Sequence, residues 1–527
     1  MCKRTVFSAF YIGKDMERMY SRQTSCGLSG VNAFKITVET DVSAGIPAFD
    51  IVGLPDAAVK ESKNRVKSAL KNNGFSLPPS SITVNLAPAG VRKEGAIYDL
   101  PILVSLLKAV GEINSDCDRD IFVGEVALDG ETRAVKGILP MAIFAKKNGY
   151  RRFFLPASNA AEAAVVEGIE VYPVKTVGEL IEHLSGKKAI KPAEFTPIRP
   201  EEQIYPLDFS EVKGQYAAKK ALEIAAAGGH NVLMMGPPGS GKSMLAKRLP
   251  SILPKMTFKE SIESTMIHSV AGTLEPSNPI ITRRPFRSPH YTVSIPGMTG
   301  GGTYPKPGEI SLAHNGVLFL DELPEFSRRT IEALRAPLED GQITISRSLI
   351  SVTYPCSITL IAAMNPCPCG YYGHPMKKCS CSEQAVRHYL GKISGPMLDR
   401  FDIHVEVPPV KYEELASAAT AEETSAQIAK RVAKSRQIQE LRYKNDNITC
   451  NAALTPSLLK KYCVLTERAE KVLHAAFDNL GMSARSYDRI LRVARTIADL
   501  DESENIDLKH ISAAIQYRSL SKKYQNN

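Results

Sequence analysis

Apolar and polar residues alternate along the first part of the chain in a pattern that predicts strands and helices in turn. Residues 34–40 alternate as a half-buried strand does, and residues 56–72 repeat apolar positions at helical spacing behind a capping Asp56. The same pattern predicts strands at residues 82–86, 121–126 and 153–155 and helices at residues 101–110 and 140–148. We therefore expect an α/β domain over residues 24–186, preceded by residues 1–23, an extension without a usable pattern.

A segment rich in Pro, Lys and Glu, residues 187–206, follows this domain and is expected to be a linker. Beyond it, residues 209–227 predict a helix. Apolar runs at residues 232–235, 317–320 and 358–364 are typical of buried parallel strands. These elements predict a second α/β domain over residues 207–410.

The remaining residues, 411–527, show helical periodicity without strands. Residues 413–445 predict a charged helix with a thin apolar stripe, and residues 483–500 predict an amphipathic helix with one continuous apolar face. Asp507 is placed to cap a last helix. The expected fold class is therefore α/β with an all-α C-terminal domain.

The composition excludes some classes of protein but does not identify a function. Of the 527 residues, 43% are hydrophobic and 23% are charged, as in ordinary globular proteins. The net charge of +10 permits a nucleic-acid partner without requiring one. No apolar run approaches the roughly 18–20 residues of a membrane span. Ten cysteines in so long a chain are no disulfide scaffold. We therefore expect a protein of the reducing cytoplasm without a membrane partner.

A candidate phosphate-binding loop lies between the strand at residues 232–235 and the helical pattern after it, and matches G-x-x-x-x-G-K-S. Its glycines let several backbone N–H groups converge on one phosphate chain. Lys242 is expected to reach the β and γ phosphates, and Ser243 to offer its hydroxyl to Mg²⁺. The residues expected to bind ATP with Mg²⁺ are Gly236, Pro237, Pro238, Gly239, Ser240, Gly241, Lys242 and Ser243.

Two carboxylates, Asp321 and Glu322, follow the predicted strand at residues 317–320. The C-terminal ends of strands in open α/β sheets are where ligands bind. We expect Asp321 to hold Mg²⁺ and Glu322 to polarise the attacking water. A strand that simply ends in solvated acids is the alternative, and the phosphate loop upstream argues against it.

Asn365 and Arg400 also follow apolar segments. Asn365 can hydrogen-bond the γ-phosphate or the attacking water, although a polar residue after a strand is often only a turn residue. Arg400 can stabilise transition-state charge on a neighbouring chain's nucleotide. Alternatively, it forms an ion pair with Asp399 or Asp402, and spacing alone does not decide between these two hypotheses.

Four cysteines cluster after Asn365 as two C-x-C pairs with nine residues between them. Four thiolates suit a structural Zn²⁺ ion, although C-x-C is tighter than the usual C-x-x-C. His374 lies between the pairs and could replace one ligand, and ordinary reduced cysteines are the alternative. The hypothetical ligands are Cys367, Cys369, Cys379 and Cys381.

Together these motifs resemble the AAA+ group that contains Mg-chelatase motor subunits and MCM-type helicases. Residues 288–290 (Ser-Pro-His) and 307–314 narrow the resemblance to the YifB/ComM family of Mg-chelatase-like ATPases, which it covers from about Met19 to the C-terminus. The resemblance implies that Asn365 is sensor 1, Arg400 an arginine finger acting in trans, and Arg485 sensor 2. It also implies a homo-hexameric ring. For Arg485, a solvated helix arginine is the alternative.

The family inserts two extra elements that line the pore and grip DNA phosphates in related helicases. The resemblance places the first at residues 281–304, which also contain His290, and the second, a hairpin, at residues 342–355. A basic solvated loop is the alternative. The residues expected to contact DNA are Arg283, Arg284, Arg287 and Arg347.

Residues 24–186 resemble the Lon-protease-like fold with a core of the ribosomal S5 domain 2 type. Proteolysis there needs a Ser–Lys dyad, and the resemblance places Ile97 and Leu139 at those two positions. Neither can act as nucleophile or base, so we expect a domain that contacts DNA or assembles the ring. Residues 1–18 depart from the family, whose members usually begin near Met19, and a misassigned start codon would explain them.

The function predicted from the sequence is that of a cytoplasmic, ring-forming ATPase moving on single-stranded or branched DNA. The resemblance implies helicase or branch-migration work during recombination of incoming DNA. The alternative is a chelatase-type motor that remodels a protein partner for metal insertion. Ile97 and Leu139 argue against an ATP-dependent protease.

Overall fold

A computed structural model of the chain describes residues 19–197, 205–275, 278–302, 305–347, 351–410, 422–479 and 481–525. Contacts divide the chain into two compact units. The described parts of residues 1–199 and 265–280 belong to the first unit, and those of residues 200–264 and 281–527 belong to the second. Parts of the predictions lie outside the described residues: the extension before residue 19, residues 198–204 of the linker and residues 413–421 of the predicted charged helix.

The described part of the first unit contains a seven-stranded mixed sheet, a two-stranded ribbon of β6 and β7, and five complete helices. Its strands are β1 Met19–Ser29, β2 Asn32–Ser43, β3 Ala48–Val52, β4 Ser81–Ala87, β5 Asp120–Phe122, β6 Glu125–Val126, β7 Thr132–Arg133, β8 Arg152–Pro156 and β9 Glu170–Val174. Its helices are α1 Ala57–Asn72, α2 Asp99–Ala109, α3 Ile138–Lys147, α4 Ala160–Ala163 and α5 Val177–Leu184. The strand order in the sheet is β3-β4-β2-β1-β5-β8-β9.

The predicted helix at residues 56–72 is confirmed, and its cap has the expected geometry. The Asp56 carboxylate accepts a hydrogen bond from the backbone N–H of Val59 at 2.8 Å. This bond satisfies one of the donors that the first helical turn leaves without a partner. Apolar side chains of α1, of the buried helix α2 and of the sheet then form one continuous core.

The first strand of the sheet was not predicted: the strand expected at residues 34–40 is β2, and β1 precedes it. β1 starts at Met19 and pairs antiparallel with β2 along its whole length. The pattern concealed this strand because the inward-facing residues near its start are polar: Ser21, Gln23 and Ser25 are all buried. Apolar alternation therefore could not indicate which face of β1 points inward.

The second unit contains a five-stranded parallel sheet, two short ribbons and the remaining helices. Its strands are β10 Val232–Met235, β11 Phe286–Arg287, β12 Gly300–Gly301, β13 Lys306–Pro307, β14 Val317–Leu320, β15 Gln342–Ser346, β16 Ser351–Pro355, β17 Thr359–Met364 and β18 Ile403–Glu406. Helices before the C-terminal segment are α6 Tyr216–Gly228, α7 Lys242–Arg248, α8 Phe258–Ala271, α9 Ile295–Thr299, α10 Glu309–Leu312, α11 Arg328–Glu332, α12 Arg335–Asp340, α13 Glu383–Leu390 and α14 Gly395–Leu398. Of these, α8 is divided, since its residues from 265 onward belong to the first unit. The C-terminal helices described are α15 Ser425–Arg442, α16 Pro456–Tyr462, α17 Glu467–Asn479, α18 Ala484–Leu500 and α19 Leu508–Gln525.

The parallel sheet has the strand order β11-β14-β17-β10-β18. The three predicted buried strands, β10, β14 and β17, are its central members and are confirmed. Alternate residues face opposite sides, so Val232 and Met234 join one apolar core while Leu233 joins another. Both faces of these strands are covered, which explains their uninterrupted apolar sequences.

The predicted helix at residues 209–227 is wrong at its start. Phe209–Glu211 is a single 3-10 turn, and α6 begins only at Tyr216. Gly214 and Gln215 separate the two with left-handed φ angles of 62° and 56°, which a right-handed helix cannot include.

The C-terminal helices pack on the same apolar core as one face of the parallel sheet. Ile428 and Val432 of α15 and Ile490 and Val493 of α18 belong to the cluster that contains Val232. This shared core explains why residues 207–410 and 411–527, which we predicted as separate domains, fall into one unit. None of the described helices is both long and apolar enough to cross a membrane.

Candidate functional site

Three neighbouring strands bring the predicted nucleotide residues to one edge of the parallel sheet. β17 lies between β10 and β14, and all three strands run parallel, so their C-terminal ends lie side by side. The phosphate loop follows β10, Asn365 follows β17, and Asp321 follows β14. This is the edge at which open α/β sheets bind their ligands.

The phosphate loop is tightly packed at its base and open at its tip. A Cβ atom on Gly236 would lie 2.1 Å from the carbonyl oxygen of Val407, so only glycine fits at this close approach. Gly239 and Gly241 have left-handed φ angles of 75° and 92°, and a Cβ on either would meet nothing within 4 Å. The tip therefore leaves space for a ligand beside its backbone.

Ser240 lies at the packed base of the phosphate loop. The side chain is 2% exposed, and its Oγ has no hydrogen-bond partner among the described residues. An ideal Cβ on Gly236 would lie 3.0 Å from this oxygen, so the hydroxyl faces the base of the loop rather than its open tip.

Gln215 supports the same loop and was missed in the sequence. Its Nε2 donates to the carbonyl oxygens of Ser240 at 3.1 Å and Pro408 at 2.6 Å, joining the loop to the segment after β18. The Gly-Gln pair at residues 214–215, directly before a helical pattern, is the turn signal that could have drawn attention to it.

Lys242 is the first residue of α7, and its amine points back into the loop. The Nζ donates to the carbonyl oxygens of Gly236 at 2.8 Å and Pro237 at 2.9 Å, and to Oδ1 of Asn365 at 3.2 Å. Burial lowers the pKa of Lys242, and the two carboxylates after β14 oppose that decrease. The contact with Asn365 puts the predicted sensor residue within hydrogen-bonding reach of the phosphate-binding amine.

Ser243 and Asp321 form the predicted magnesium pair. The Ser243 Oγ donates to Oδ2 of Asp321 at 2.6 Å. A hydroxyl and a carboxylate oxygen at one point are the hard ligands that Mg²⁺ takes beside nucleotide phosphates, so this donor set fits the ion.

Glu322 follows in a strained turn. Its φ is 52°, and its backbone N–H donates to Oδ1 of Asp321 at 3.0 Å. A left-handed non-glycine residue costs free energy and often marks a functional position. The turn sends the two carboxylates in different directions, so Asp321 contacts Ser243 while the Glu322 side chain is exposed.

Arg400 lies at the opposite edge of the sheet from the phosphate loop. β18 pairs parallel with β10, with Ile403 beside Val232, and Arg400 precedes β18. The Asn231 side chain donates to the Arg400 carbonyl oxygen at 3.0 Å, which fixes Arg400 at the start of β10. Five residues of strand at about 3.3 Å each separate this point from the loop by about 16 Å. The side chain is too short to reach its own chain's nucleotide site.

The sequence-based alternative for Arg400, an ion pair with Asp399 or Asp402, is wrong. Both carboxylates bond arginines of the C-terminal helices instead. The Arg400 side chain is 6% exposed, and its Nη2 lies 2.5 Å from Oε1 of Glu339. Glu339 was missed because it lies on α12, far from Arg400 in the sequence, and nothing local indicates the contact.

Other arginines surround this pair. Burial lowers the pKa of Arg400, and the charge of Glu339 opposes that decrease. The positive charges of Arg489, Arg485 and Arg335 lower the pKa of Arg400 further. The Nε atoms of Arg400 and Arg335 have no hydrogen-bond partner among the described residues. An anion presented from outside the chain would satisfy these donors.

Two of the arginines predicted to contact DNA are held by carboxylates of the same chain. Both Nη atoms of Arg284 bond the Glu260 carboxylate, at 3.1 and 3.2 Å. Arg287 forms a two-point pair with Glu309 at 2.7 and 2.8 Å. These pairs connect the insert to α8 and α10, so the charge of the two arginines is largely used within the chain.

The other two arginines predicted to contact DNA are exposed. The predicted hairpin is confirmed, since β15 and β16 pair antiparallel from Gln342 opposite Pro355 to Ser346 opposite Ser351. Arg347 directly follows β15 and is exposed, as is Arg283 at the start of the insert. Residues 348–350 at the tip lie outside the described residues.

The four cysteines after Asn365 converge on one point. Their sulfur atoms all lie within 4.8 Å of one another. Three of the sulfur–sulfur distances are 3.4, 3.5 and 3.7 Å. A tetrahedral ion with bonds of about 2.3 Å to sulfur has edges of about 3.8 Å, so the group fits Zn²⁺. His374 is not part of this group, because its Nδ1 accepts the backbone N–H groups of Met376 and Lys377.

In the first unit, the two positions that a Lon-type protease would use carry apolar side chains. Leu139 is fully buried in α3, and Ile97 is half-buried in the short turn Ala96–Tyr98. Neither side chain has an ionisable or nucleophilic atom, which leaves the prediction against proteolysis in place.

Three models of protein families match successive parts of the chain. Residues 38–159 match the model described as "Subunit ChlI of Mg-chelatase". Residues 208–415 match "Magnesium chelatase, subunit ChlI", and residues 422–518 match "Magnesium chelatase, subunit ChlI C-terminal".

Curated relatives match nearly the whole chain. Competence protein ComM of Haemophilus influenzae is 43% identical over 509 residues, which cover 95% of this chain and 97% of the relative. The protein YifB of Escherichia coli is 42% identical over 94% of this chain and 96% of its own length. The magnesium-chelatase 38 kDa subunit of Rhodobacter capsulatus is 24% identical over only 38% of this chain.

Proposed function

The chain belongs to the YifB/ComM family of Mg-chelatase-like AAA+ ATPases, and from this premise we propose that it is a ring-forming motor that hydrolyses ATP to move along DNA. The observation that carries the ATPase part is the meeting of Lys242, Asn365 and the Ser243–Asp321 pair at one sheet edge. ATP and Mg²⁺ are the cofactors that this family implies.

Each residue at this edge has a distinct task in the proposed hydrolysis. The loop N–H groups and the Lys242 amine bind the phosphates, and Ser243 with Asp321 holds the magnesium ion. When bound, the ion neutralises charge on the phosphate oxygens. Glu322 orients the attacking water, and Asn365 fixes the γ-phosphate end relative to Lys242.

The position of Arg400 supports a shared site between chains. It lies about 16 Å from its own phosphate loop, at the other end of the strand pair β10–β18. Arg485 lies one helical turn before Arg489, which bonds Asp402 at 3.1 Å beside Arg400. Arg400 and Arg485 would therefore act on the same neighbouring nucleotide. We propose the homo-hexamer that this arrangement requires.

Exposed basic side chains support DNA as the substrate. The hairpin carries Arg347 at its solvent end, and Arg283 is exposed on the insert. One relative is named a competence protein, and we propose that the present chain also acts on incoming DNA, by helicase or branch-migration activity on single-stranded or branched forms. We propose that the protein acts in the cytoplasm.

A chelatase-type motor is the second candidate, because all three matching family models are described as magnesium-chelatase subunit ChlI. Such a motor would remodel a partner protein rather than DNA. Near-complete coverage by YifB and ComM, against 38% and 58% coverage by two chelatase subunits, favours the DNA motor.

We also propose that the four cysteines bind one Zn²⁺ ion as a structural metal.

The deciding experiment is the ATPase rate of the full chain without DNA, with single-stranded DNA and with a four-way branched DNA. Stimulation by DNA alone is expected for the proposed motor. An ATPase that no DNA stimulates would favour the chelatase-type reading. Lys242→Ala, which removes the phosphate-binding amine, controls for contaminating ATPases.

A further inference from the structure

The cysteine loop and the phosphate loop touch each other. A Cβ atom placed on Gly370 would lie 2.4 Å from Cδ and 2.7 Å from Cγ of Pro238, the third residue of the phosphate loop. Such distances leave no room for even one methyl group. Gly370 itself has a left-handed φ of 83°, so both its backbone conformation and its surroundings require glycine.

The shape of the loop around Gly370 depends on the cysteines. The backbone N–H of Gly370 donates to the carbonyl oxygen of Cys367 at 3.0 Å, and the N–H of Tyr372 donates to the sulfur of Cys367 at 3.3 Å. Residues 365–382 contain no helix or strand. Backbone N–H groups that bond cysteine sulfurs are what a metal–thiolate loop uses to stabilise its charged ligands.

The other contacts described within this loop are local: His374 Nδ1 accepts the backbone N–H groups of Met376 and Lys377, and the rings of Tyr371 and His374 touch. Cys367 is fully buried, but the far end of the loop is open, with Met376 88% exposed. Without a sheet ladder or a broad apolar contact, a cross-link between Cys367 and Cys369 on one side and Cys379 and Cys381 on the other would fix its shape.

We propose that a Zn²⁺ ion on Cys367, Cys369, Cys379 and Cys381 presses Gly370 against Pro238 and so holds the phosphate loop in its nucleotide-binding shape. This inference rests on the proposed ATP site and extends it, because it makes nucleotide affinity depend on a metal that touches no nucleotide. The loop is attached at two points, through Asn365 on Lys242 and through Gly370 on Pro238. Removing the metal frees the second point while the first remains.

The first experiment separates the metal from the phosphate loop. Full-length protein, purified reduced and without chelator, is expected to carry about one Zn²⁺ per chain. The double variant Cys379→Ser with Cys381→Ser should carry none. Its dissociation constant for a fluorescent, non-hydrolysable ATP analogue with Mg²⁺ should rise about tenfold or more, as when the support of a preorganised site is lost. Cys450→Ser, a thiol outside the cluster, is the matched control and should change neither quantity.

The second experiment keeps all four thiols and disturbs only the contact. Gly370→Ala should retain zinc but weaken binding of the nucleotide analogue, because its methyl group must displace Pro238. Gly373→Ala is the matched control: Gly373 lies in the same loop with a similar φ of 73°, and a Cβ there meets nothing within 4 Å. Both variants therefore carry the same backbone strain, and only one touches the phosphate loop.

Three results would overturn the inference: wild-type protein without zinc, a zinc-free double variant that binds nucleotide like wild type, or equal nucleotide affinities for Gly370→Ala and Gly373→Ala. If the double variant does not fold, judged by loss of its thermal transition, the alanine pair still decides. Failure of the proposed DNA motor would be seen separately, as normal nucleotide binding without stimulation of the ATPase by DNA.

Discussion

The guanidinium group of Arg400 and the carboxylate of Glu339 are in contact, with 2.5 Å between Nη2 and Oε1. Arg400 is 6% exposed, whereas the Glu339 side chain is 52% exposed. A carboxylate open to solvent can exchange its partner more easily than a buried one, since it loses less on separation. This pair is therefore the point at which the ion-pair and arginine-finger hypotheses can be separated.

Arg400→Ala is expected to lower the turnover of a homogeneous assembly by about 10³ or more, the effect of losing an arginine that stabilises transition-state charge. Doped into wild-type protein, the variant should depress ATPase activity by more than its fraction, since each altered chain would disable a site on its neighbour. The measurement is ATPase rate against mixing ratio at constant total protein. A strictly proportional decrease would contradict a shared site.

Glu339→Gln is the companion variant. If Arg400 acts on a neighbour, breaking its contact with Glu339 should leave turnover at or above the wild-type rate. If Arg400 serves only in the ion pair, Glu339→Gln should reproduce the loss caused by Arg400→Ala, together with a lowered thermal midpoint.

Lys242→Ala should abolish nucleotide binding, because it removes the amine that reaches the phosphates from within the loop. Glu322→Gln should bind nucleotide normally yet hydrolyse it at least about 10²-fold more slowly, because the amide cannot draw a proton from water. Measurements of nucleotide binding and of single-turnover hydrolysis distinguish the two variants. Glutamine preserves the length of the side chain at this left-handed position, and near wild-type turnover would remove Glu322 from catalysis.

Arg347→Ala should weaken binding to all DNA sequences alike, because the exposed guanidinium group at the hairpin is expected to contact phosphates rather than bases. The slope of log K against log salt should become shallower by roughly one unit per engaged chain. A salt titration with a non-hydrolysable ATP analogue present measures it. Lys259→Ala, on a side chain 86% exposed outside the hairpin, is the control. Equal slopes for both variants would show that the hairpin does not grip DNA.

Asp402 predicts a pH-dependent contribution to stability. Burial acts to raise its pKa, but the hydrogen bond with His230 and the charge of Arg489 outweigh burial and hold the pKa well below the usual carboxyl range. A lowered folded-state pKa contributes stability above the unfolded value of about 3.9, and this contribution is lost as pH falls through the folded-state value. Asp402→Asn should therefore lower the apparent thermal midpoint strongly at pH 7 and progressively less as the pH falls below about 4.

The control for this measurement is Glu383→Gln, on a carboxylate that is 88% exposed. It should leave the midpoint nearly unchanged at both pH values. A difference between wild type and Asp402→Asn that does not vary with pH would show that the amide fails for steric reasons rather than for loss of charge.

Much of the nucleotide site could be predicted because its signals are local. The loop of Gly236–Ser243 combines fixed spacing with a buried strand before it, and Asp321 and Asn365 each follow an uninterrupted apolar run. Strands buried on both faces are apolar throughout and easily recognised, and parallel order then brings their C-terminal ends together.

What could not be predicted depends on contacts between distant segments. Glu339 meets Arg400, and Gln215 bridges the phosphate loop to Pro408, but neither residue belongs to a motif. β1 was not predicted because its first inward-facing residues are polar. The contact between Gly370 and Pro238 is likewise invisible in the sequence, since a glycine that follows a cysteine pair reads only as a turn.

The pairing of β10 with β18 connects the phosphate loop of a chain directly to its Arg400. Four residue pairs, from Val232 beside Ile403 to Met235 beside Glu406, connect the end that holds a chain's own nucleotide to the end where Arg400 would meet the next. The two strands are paired residue by residue over this length. Under the proposed arrangement, a shift of one phosphate loop after hydrolysis would be carried along this pairing towards the adjoining subunit. The pairing of β10 with β18 would then couple ATP hydrolysis in one subunit to the nucleotide site of the next.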